Sequence, residues 1–422
     1  MEKLDDVLKE LSWRGLIYQQ TDEEGLREYL RENKITLYCG VDPTADSLHI
    51  GHLVPYLVLR RFQLAGHQPI VIVGCGTGMI GDPSGKRSER TLQDVEIILA
   101  NGEKLKAQIS NVLSSEGNNG VIFANNYDWL SRITLIELLR DYGKYFNLGT
   151  MLAKESVASR LESGISFTEF TYQILQSIDF QVLFKQYNCR LQVGGSEQWG
   201  NITAGIDLIR KTVDENSKAF GLTIPLVTKA DGTKFGKTEA GAIWLDPLKT
   251  TPYEFYQFWF NAADSDVIKY LKLFTFLPEN EISVLAIAVA EEPHLRQAQQ
   301  KLAAEVTGFI HGTEALEQAL RVSEALFSGD IKGLSLSEIE LGFKDVPSCE
   351  ISEELKLVDV LVYAKAAASK REARDFIQNK AISINGEIVT DVDTVLTKAA
   401  AIAGKLTVIR RGKKKYFLVK HL

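Results

Sequence analysis

Apolar residues recur at helical spacing through the first 34 positions, with Leu4, Leu8 and Leu11 followed by Leu26, Tyr29 and Leu30. Positions 35–41 (ITLYCGV) then form a short β-rich run, which Asp42-Pro43-Thr44 breaks. The pattern predicts a helix over about 48–65, a second buried strand over 69–74 (PIVIVG) and a glycine-rich loop to Gly85. A strand, loop, helix and strand in succession predict a parallel α/β sheet. Residues 86–190 read as mainly helical, with a short strand near 121–123. A further strand over 189–194 (CRLQVG) leads into a helix at 199–211. Residues 222–228 are extended, 229–239 form a charged loop, and 252–327 read as helical. Residues 328–350 mix turn formers with no sustained period and read as a linker. Two helices over 355–368 and 370–379 then precede a strand at 382–384. Asn385-Gly386 between apolar strands is a strong hairpin signal, and a last hairpin follows over 407–419.

The chain has 422 residues, which predicts two to four domains. No apolar run approaches the ~20 residues of a membrane span. The N-terminal stretch alternates charges and lacks an apolar core, which argues against a signal or transit peptide. Four scattered cysteines, none close to another, predict neither a zinc nor a redox pair and fit a reducing, cytoplasmic compartment. The formal net charge of −7 is unevenly spread. Residues 353–422 carry 14 Lys and Arg against 8 Asp and Glu, a net of +6. A basic tail on an acidic body suggests a polyanionic partner, although a solvated surface would look the same.

Three segments carry candidate chemistry. In the first, His49 and His52 follow a strand and open a helix, three residues apart and so on one face. A helix N-terminus favours anions, and two imidazoles there can donate to phosphate oxygens. Gly51 between them leaves room for a flat base. In the second, four glycines between Gly74 and Gly81 precede Asp82, Lys86 and Arg90. Asp82 suits an ammonium group, and the two cations suit phosphates. The spacing is neither a Walker A loop nor a clean dinucleotide fingerprint. In the third, Lys234 and Lys237 bracket Gly236, and mobile ammonium groups there can meet charge that grows on pyrophosphate. Each segment alone could be an ordinary turn or basic loop.

Together they resemble a family. His49-Ile-Gly-His52 and Lys234-Phe-Gly-Lys237-Thr238, in that order, look like the two signatures of class I aminoacyl-tRNA synthetases. Tyr38-Cys-Gly-Val-Asp42-Pro-Thr44, Gly81-Asp82-Pro-Ser-Gly-Lys86, Ser166-Phe-Thr-Glu-Phe-Thr-Tyr172 and Gln192-Val-Gly-Gly-Ser-Glu197-Gln198-Trp-Gly-Asn201 are similar to bacterial tyrosyl-tRNA synthetases. The resemblance runs from about Leu11 to the C-terminus. It implies an α/β, Rossmann-like parallel-sheet catalytic domain over 1–222, with a connective insertion at about 124–190. A lysine-loop segment (223–250), an α-helical anticodon-binding domain (251–327), the linker and a C-terminal α+β S4-like RNA-binding domain (351–422) follow.

The implied reaction activates tyrosine with ATP and then transfers the tyrosyl group to the 3′ end of its tRNA. The resemblance gives catalytic roles to His49, His52, Lys86, Arg90, Lys234, Lys237 and Thr238. Cys39, Gly40, Asp42, Thr44, Gly51, Gly195 and Glu197 join the histidines and lysines at ATP. Tyr38 and Asp179 would hydrogen-bond the substrate phenol. Asp82, Tyr172 and Gln176, with Gln198, would hold its amino-acid end. Tyr172, Gln176 and Asp179 are spaced by four and three, so they share a helix face independently of any resemblance. Lys370, Arg371, Arg374, Lys380, Arg410, Arg411, Lys413, Lys414 and Lys415 would contact RNA phosphates. Mg2+ would accompany ATP with no protein metal site, and a homodimer would form through the segment after Val121.

The family usually has Asp where Glu197 stands, which leaves its ribose contact open. Pro55 falls where a proline near a helix start is tolerated. Tyr38, Asp179 and the S4-like tail argue against a tryptophanyl relative. The retained histidines and lysines argue against a non-catalytic RNA-binding protein. The long helical and S4-like regions argue against another nucleotidylyltransferase.

Overall fold

The structure is a computed structural model that describes residues 6–85, 92–161, 164–230, 232, 235–238, 241–329, 331, 333–344, 346–412 and 415–422. It divides into two compact units, Met1–Thr250 with Phe258–Ile310, and Thr251–Gln257 with His311–Leu422. The block expected at 251–327 is therefore shared, with 258–310 in the first unit and 251–257 and 311–327 in the second.

In the first unit, α1 (Asp6–Arg14), β1 (Gln19–Gln20) and α2 (Glu23–Glu32) precede β2 (Thr36–Val41), α3 (Leu53–Leu64) and β3 (Gln68–Val73). α4 (Val95–Ser110), β4 (Ile122–Asn125), α5 (Phe167–Tyr187), β5 (Cys189–Gly195), α6 (Trp199–Thr212) and β6 (Phe220–Ile224) follow, with short helical turns between them. The sheet order is β1-β6-β5-β2-β3-β4. β2 to β6 pair in parallel and β1 pairs antiparallel with β6. Parallel strands covered on both faces read as continuous apolar runs, and every residue from Pro69 to Val73 is buried. Tyr38, Ile70, Ile72, Phe180, Leu183, Cys189 and Ile209 form one core between the sheet and the helix pair α5 and α6.

Strands β2, β3 and β4 run outward on one side of the sheet, β5 and β6 on the other. The order reverses between β2 and β5, and ligands of such sheets bind beyond the strands' carboxyl ends at that reversal. A small β-pair, β7 (Lys237–Thr238) with β8 (Gly241–Ala242), and helices α7 (Asp264–Phe274), α8 (Glu279–Glu291) and α9 (Gln297–His311) come later. α7 ends on arginines. Arg14 donates to the carbonyls of Lys272, Thr275 and Leu277, and Arg61 of α3 donates to Thr275 O at 2.6 Å. These donors satisfy carbonyls that a helix C-terminus leaves without partners.

β1 was not expected. Both of its residues are polar, and its pairing comes from backbone register with Thr223 and Leu222 rather than from an apolar pattern. The helix expected from residue 48 starts later, because Ile50–His52 is a 3-10 turn. Pro55 is the third residue of α3, where its missing N–H costs nothing.

The second unit holds α10 (Thr313–Ser328), α11 (Leu336–Gly342), β9 (Ser348–Ile351), β10 (Leu355–Lys356), α12 (Leu357–Tyr363) and α13 (Lys370–Gln378). Strands β11 (Ile382–Ile384), β12 (Glu387–Ile388), β13 (Val395–Leu396), β14 (Leu406–Arg411) and β15 (Lys415–His421) complete it. The sheet order is β12-β11-β14-β15-β9, with β9 parallel to the terminal strand. Residues 328–350, expected as a linker, thus contain a helix and an edge strand. α11 has under two turns, too few for a period, but Ser335 and Glu338 make the reciprocal capping box that marks its start. Its Ile339 and neighbouring Phe343 share a core with Val322, Leu406, Val408 and Leu418.

Candidate active site

Of the expected site residues, Cys39 and Gly40 lie on β2 with Asp42 just after its carboxyl end, Gly195 ends β5, and Tyr172, Gln176 and Asp179 lie on α5. Asp42 directly follows β2. Its Oδ1 accepts the Thr77 hydroxyl at 2.7 Å and its Oδ2 accepts the Tyr172 hydroxyl at 2.8 Å. Asp179, one helical face along from Tyr172, is 3% exposed. Its oxygens accept Trp129 Nε1–H at 2.8 Å and Asn126 Nδ2–H at 2.9 Å. Burial lifts the Asp179 carboxyl to about 7, against the opposing pull of those two donors. Tyr38 is buried against Phe180, and its hydroxyl makes no hydrogen bond among the described residues. Burial, then the charge of Asp179, holds its phenol well above the ordinary range.

A second cluster lies around Asp82. Its Oδ1 accepts Ser84 N–H at 2.9 Å and its Oδ2 accepts Gln198 Nε2–H at 2.7 Å. Gln198 Oε1 accepts from Gln176 at 3.2 Å, and Asn201 donates to Gln176 and Gln198. Tyr172, Gln176 and Asp179 of α5 are each engaged with residues outside that helix. Tyr172 turns its hydroxyl to Asp42, and Gln176 reaches the Asp82 group through Gln198.

The histidines stack, with ring centroids 3.8 Å apart. Gly51 N–H donates to His49 Nδ1 at 3.0 Å, and His49 N–H approaches His52 Nδ1 at 3.5 Å. With Nδ1 accepting, each neutral ring carries its proton on Nε2, the atom able to donate outward. A Cβ on Gly51 would stand 2.8 Å from the His49 ring, so the glycine also makes room for that imidazole. Leu48 N–H, just ahead, is held by Gln108 of α4 at 2.8 Å.

Cys39 and Gly40 lie on β2, and the Thr44 N–H closes back on Asp42 O at 2.8 Å. Burial, then the nearby Glu197 charge, pushes the Cys39 thiol up to about 12. Glu197 folds over Gly195, where a Cβ would meet its carboxylate at 2.3 Å. The longer side chain at this position thus turns back over the strand end.

Among the loop residues, Lys86, Arg90 and Lys234 lie outside the described residues, as do the side chains of Lys237 and Thr238. Phe235 is described and is buried among Phe258, Trp259, Tyr270 and Phe274. Gly236 has a φ of +81°, and a Cβ on it would stand 3.0 Å from Ile50. Ile50 N–H donates to Ile243 O at 3.0 Å and Ile243 N–H to Gly236 O at 3.2 Å, so the loop is laced to the histidine turn.

In the second unit, Lys370, Arg371, Arg374, Lys380 and Lys415 are exposed. Lys370 pairs with Asp359 at 2.7 Å. Arg410 donates to Gly412 O and Ser328 O, and Arg411 donates to Ala366 O while lying over Phe376. Lys413 and Lys414 lie outside the described residues. Thr77, Asn126 and Trp129 were missed by sequence reasoning. The signal for Asn126 was its place directly after β4, at a strand's carboxyl end. Among the described residues, no group of three or more His, Cys, Asp and Glu could hold a metal ion.

The model of class I tRNA synthetases (W and Y) matches residues 30–328, and that of the tyrosine–tRNA ligase C-terminal domain matches 338–419. The chain belongs to the tyrosine–tRNA ligases of class I. The tyrosine–tRNA ligase of Listeria monocytogenes serotype 4b is 60% identical over 99% of this chain and all of its own length. Tyrosine–tRNA ligase 1 of Bacillus cereus is 61% identical over 98% of this chain and all of that one. Among solved structures, the truncated mitochondrial tyrosyl-tRNA synthetase of Aspergillus nidulans superposes with a TM-score of 0.70 at 33% identity. It covers 78% of this chain and 95% of its own. A tryptophanyl-tRNA synthetase from Encephalitozoon cuniculi, 16% identical with a TM-score of 0.56, shares the fold. The chain is thus a class I aminoacyl-tRNA synthetase with ATP as a substrate. No helix among the described residues is long and apolar enough to cross a membrane.

Proposed function

We propose that this tyrosine–tRNA ligase takes the substrate phenol between Tyr38 and Asp179 and the adenylate-forming phosphates over His49 and His52. The carrying observation is Asp179, a buried carboxylate beside a buried tyrosine hydroxyl that makes no hydrogen bond among the described residues. A phenol satisfies both groups, donating to the carboxylate and accepting from Tyr38. Phenylalanine would strand them, and stranding buried polar groups is how such sites reject an analogue. Asp82, Tyr172, Gln176 and Gln198 take the ammonium end. Asp42, Thr44, Cys39, Gly40, Gly195 and Glu197 border the nucleotide. Lys86, Arg90, Lys234, Lys237 and Thr238 close on pyrophosphate as its charge develops, with Mg2+ entering alongside ATP. Little covalent chemistry falls to the protein, and positioning and charge stabilisation dominate.

Tyrosine-dependent ATP–pyrophosphate exchange, run with each amino acid in turn, tests the assignment. Exchange with tyrosine alone is expected, and Asp179→Ala loses most of it while ATP still binds. Unchanged tyrosine kinetics in that variant would remove Asp179 from the pocket.

The C-terminal region, S4-like in its hairpins and basic surface, grips tRNA phosphates through Lys370, Arg371, Arg374, Lys380 and Lys415, with Lys413 and Lys414. Arg410 and Arg411, already engaged within their own unit, contribute less. The enzyme acts in the cytoplasm as a homodimer. Exposed Leu135, Ile136, Leu139, Leu148 and Phe167 support an apolar contact after Val121. Sedimentation of Ile136→Asp is expected to shift from dimer to monomer.

A further inference from the structure

Two carboxylates flank the site, Asp42 after β2 and Asp179 on α5, and two side chains join them. Asn126 Oδ1 accepts Gly76 N–H at 2.7 Å, which fixes the amide's orientation and turns its NH2 away. One N–H of that group reaches Asp179 Oδ2 at 2.9 Å, and the other reaches Thr77 Oγ1 at 2.8 Å. Having accepted from Asn126, the Thr77 hydroxyl has one proton to give. It goes to Asp42 Oδ1 at 2.7 Å rather than to Gly74 O at 3.3 Å. The donors thus diverge from Asn126 and end on an anion at either side.

Neither link can be replaced by solvent, since Asn126 is 0% and Thr77 2% exposed. The backbone also makes way for the contact. A Cβ on Gly74 would stand 2.3 Å from Asp42 Oδ1 and 2.6 Å from Thr77 Oγ1.

We propose that Thr77 is a positioning residue which, through Asn126, ties the nucleotide-side carboxylate Asp42 to the phenol-side carboxylate Asp179, so that one hydrogen-bonded chain holds the pockets for both substrates. This rests on the reading above of Asp42 and Asp179. Tyr172, whose hydroxyl holds the second oxygen of Asp42, extends the chain back onto α5. Loss of the Thr77 hydroxyl leaves Asp42 one donor short and leaves one buried Asn126 N–H without its acceptor, so the strain falls on the Asp42 and Asp179 sides together. Loss of a pocket residue proper affects its own substrate first.

The experiment is tyrosine-dependent ATP–pyrophosphate exchange by the full-length protein with Thr77→Val, Thr77→Ala and Thr77→Ser. In Val and Ala, the KM for tyrosine and the KM for ATP both rise, by about tenfold each for a lost bond to a charged group, with kcat changed less. Thr77→Ser restores both. A rise in only one KM, a rise in neither, or a serine variant as impaired as valine overturns the proposal. A dead protein would not produce the paired rise, and thermal melting identifies a variant that fails to fold. Asp42→Ala and Asp179→Ala run in parallel. If they move KM while Thr77→Val and Thr77→Ala do not, the coupling fails alone. If they move neither KM, the assignment of the two pockets fails, and the coupling with it.

Discussion

At Asp179, burial and hydrogen bonding pull in opposite directions. Burial favours the neutral acid, Asn126 and Trp129 favour the anion, and the balance leaves the carboxyl at about 7. A substrate phenol needs the anion as its acceptor. Tyrosine KM therefore rises as pH falls below about 7, while ATP KM stays flatter. Trp129→Phe removes one donor and moves that rise to higher pH. A tyrosine KM that is constant across this range contradicts the role given to the ionised group. Tyr38 and Asp179 could be named from the sequence because they match family positions, Asp179 also by its spacing from Tyr172 and Gln176 on one helix. Thr77 and Asn126 were not, since a threonine in a glycine loop and an asparagine after a short strand look ordinary until four strand ends converge.

α5 carries Tyr172, Gln176 and Asp179, so its first turn sets their register. Ser166 caps it, accepting Glu169 N–H at 3.2 Å. Ser166→Ala is expected to cost about 1 kcal/mol of stability, read as a lower melting temperature. The lysine loop depends on a different kind of anchor. Phe235 sits in an aromatic cluster, and Phe235→Ala is expected to cost about 3 kcal/mol there and to lower kcat for adenylate formation with little change in tyrosine KM. A large tyrosine KM effect with unchanged kcat would assign Phe235 to the pocket instead. The core strands were readable because a doubly covered sheet demands unbroken apolar runs. The Asn385-Gly386 turn was readable because only such residues suit its backbone, Asn385 having a φ of 48° and Gly386 of 87°. β1 and β9 were not, because edge strands are fixed by backbone pairing and need no apolar period.

Across the whole molecule, acid sensitivity has an identifiable contributor. His311, half-buried, stands edge-on to Phe255 with ring centroids 4.7 Å apart, and desolvation lowers its pKa to about 4 from 6.5. Between these values the unfolded chain binds the extra proton. The stability His311 contributes is thus complete above 6.5 and is lost as pH falls through the window towards about 4. His311→Leu is expected to flatten the melting temperature over that range, and an unchanged slope would place the sensitivity elsewhere. The basic tail is the feature that composition alone announced, through its +6 charge in residues 353–422. Which of its cations remain available was beyond composition, since a guanidinium facing water and one lying on Phe376 count the same. Arg371→Glu with Arg374→Glu is expected to raise the KM for tRNA and flatten its salt dependence, leaving pyrophosphate exchange intact.

β9 gives this unit a practical boundary. A protein ending at residue 350 would lose β15, the strand that β9 pairs with, and would bare Val322, Ile339 and Phe343, which pack under Leu406, Val408 and Leu418. Such a truncation exposes a sticky edge and a greasy floor, and its failure to charge tRNA would report aggregation rather than lost recognition. The unit also includes Thr251–Gln257, so a fragment meant to be swapped between relatives should carry that segment with α10, α11 and β9, rather than start at 311.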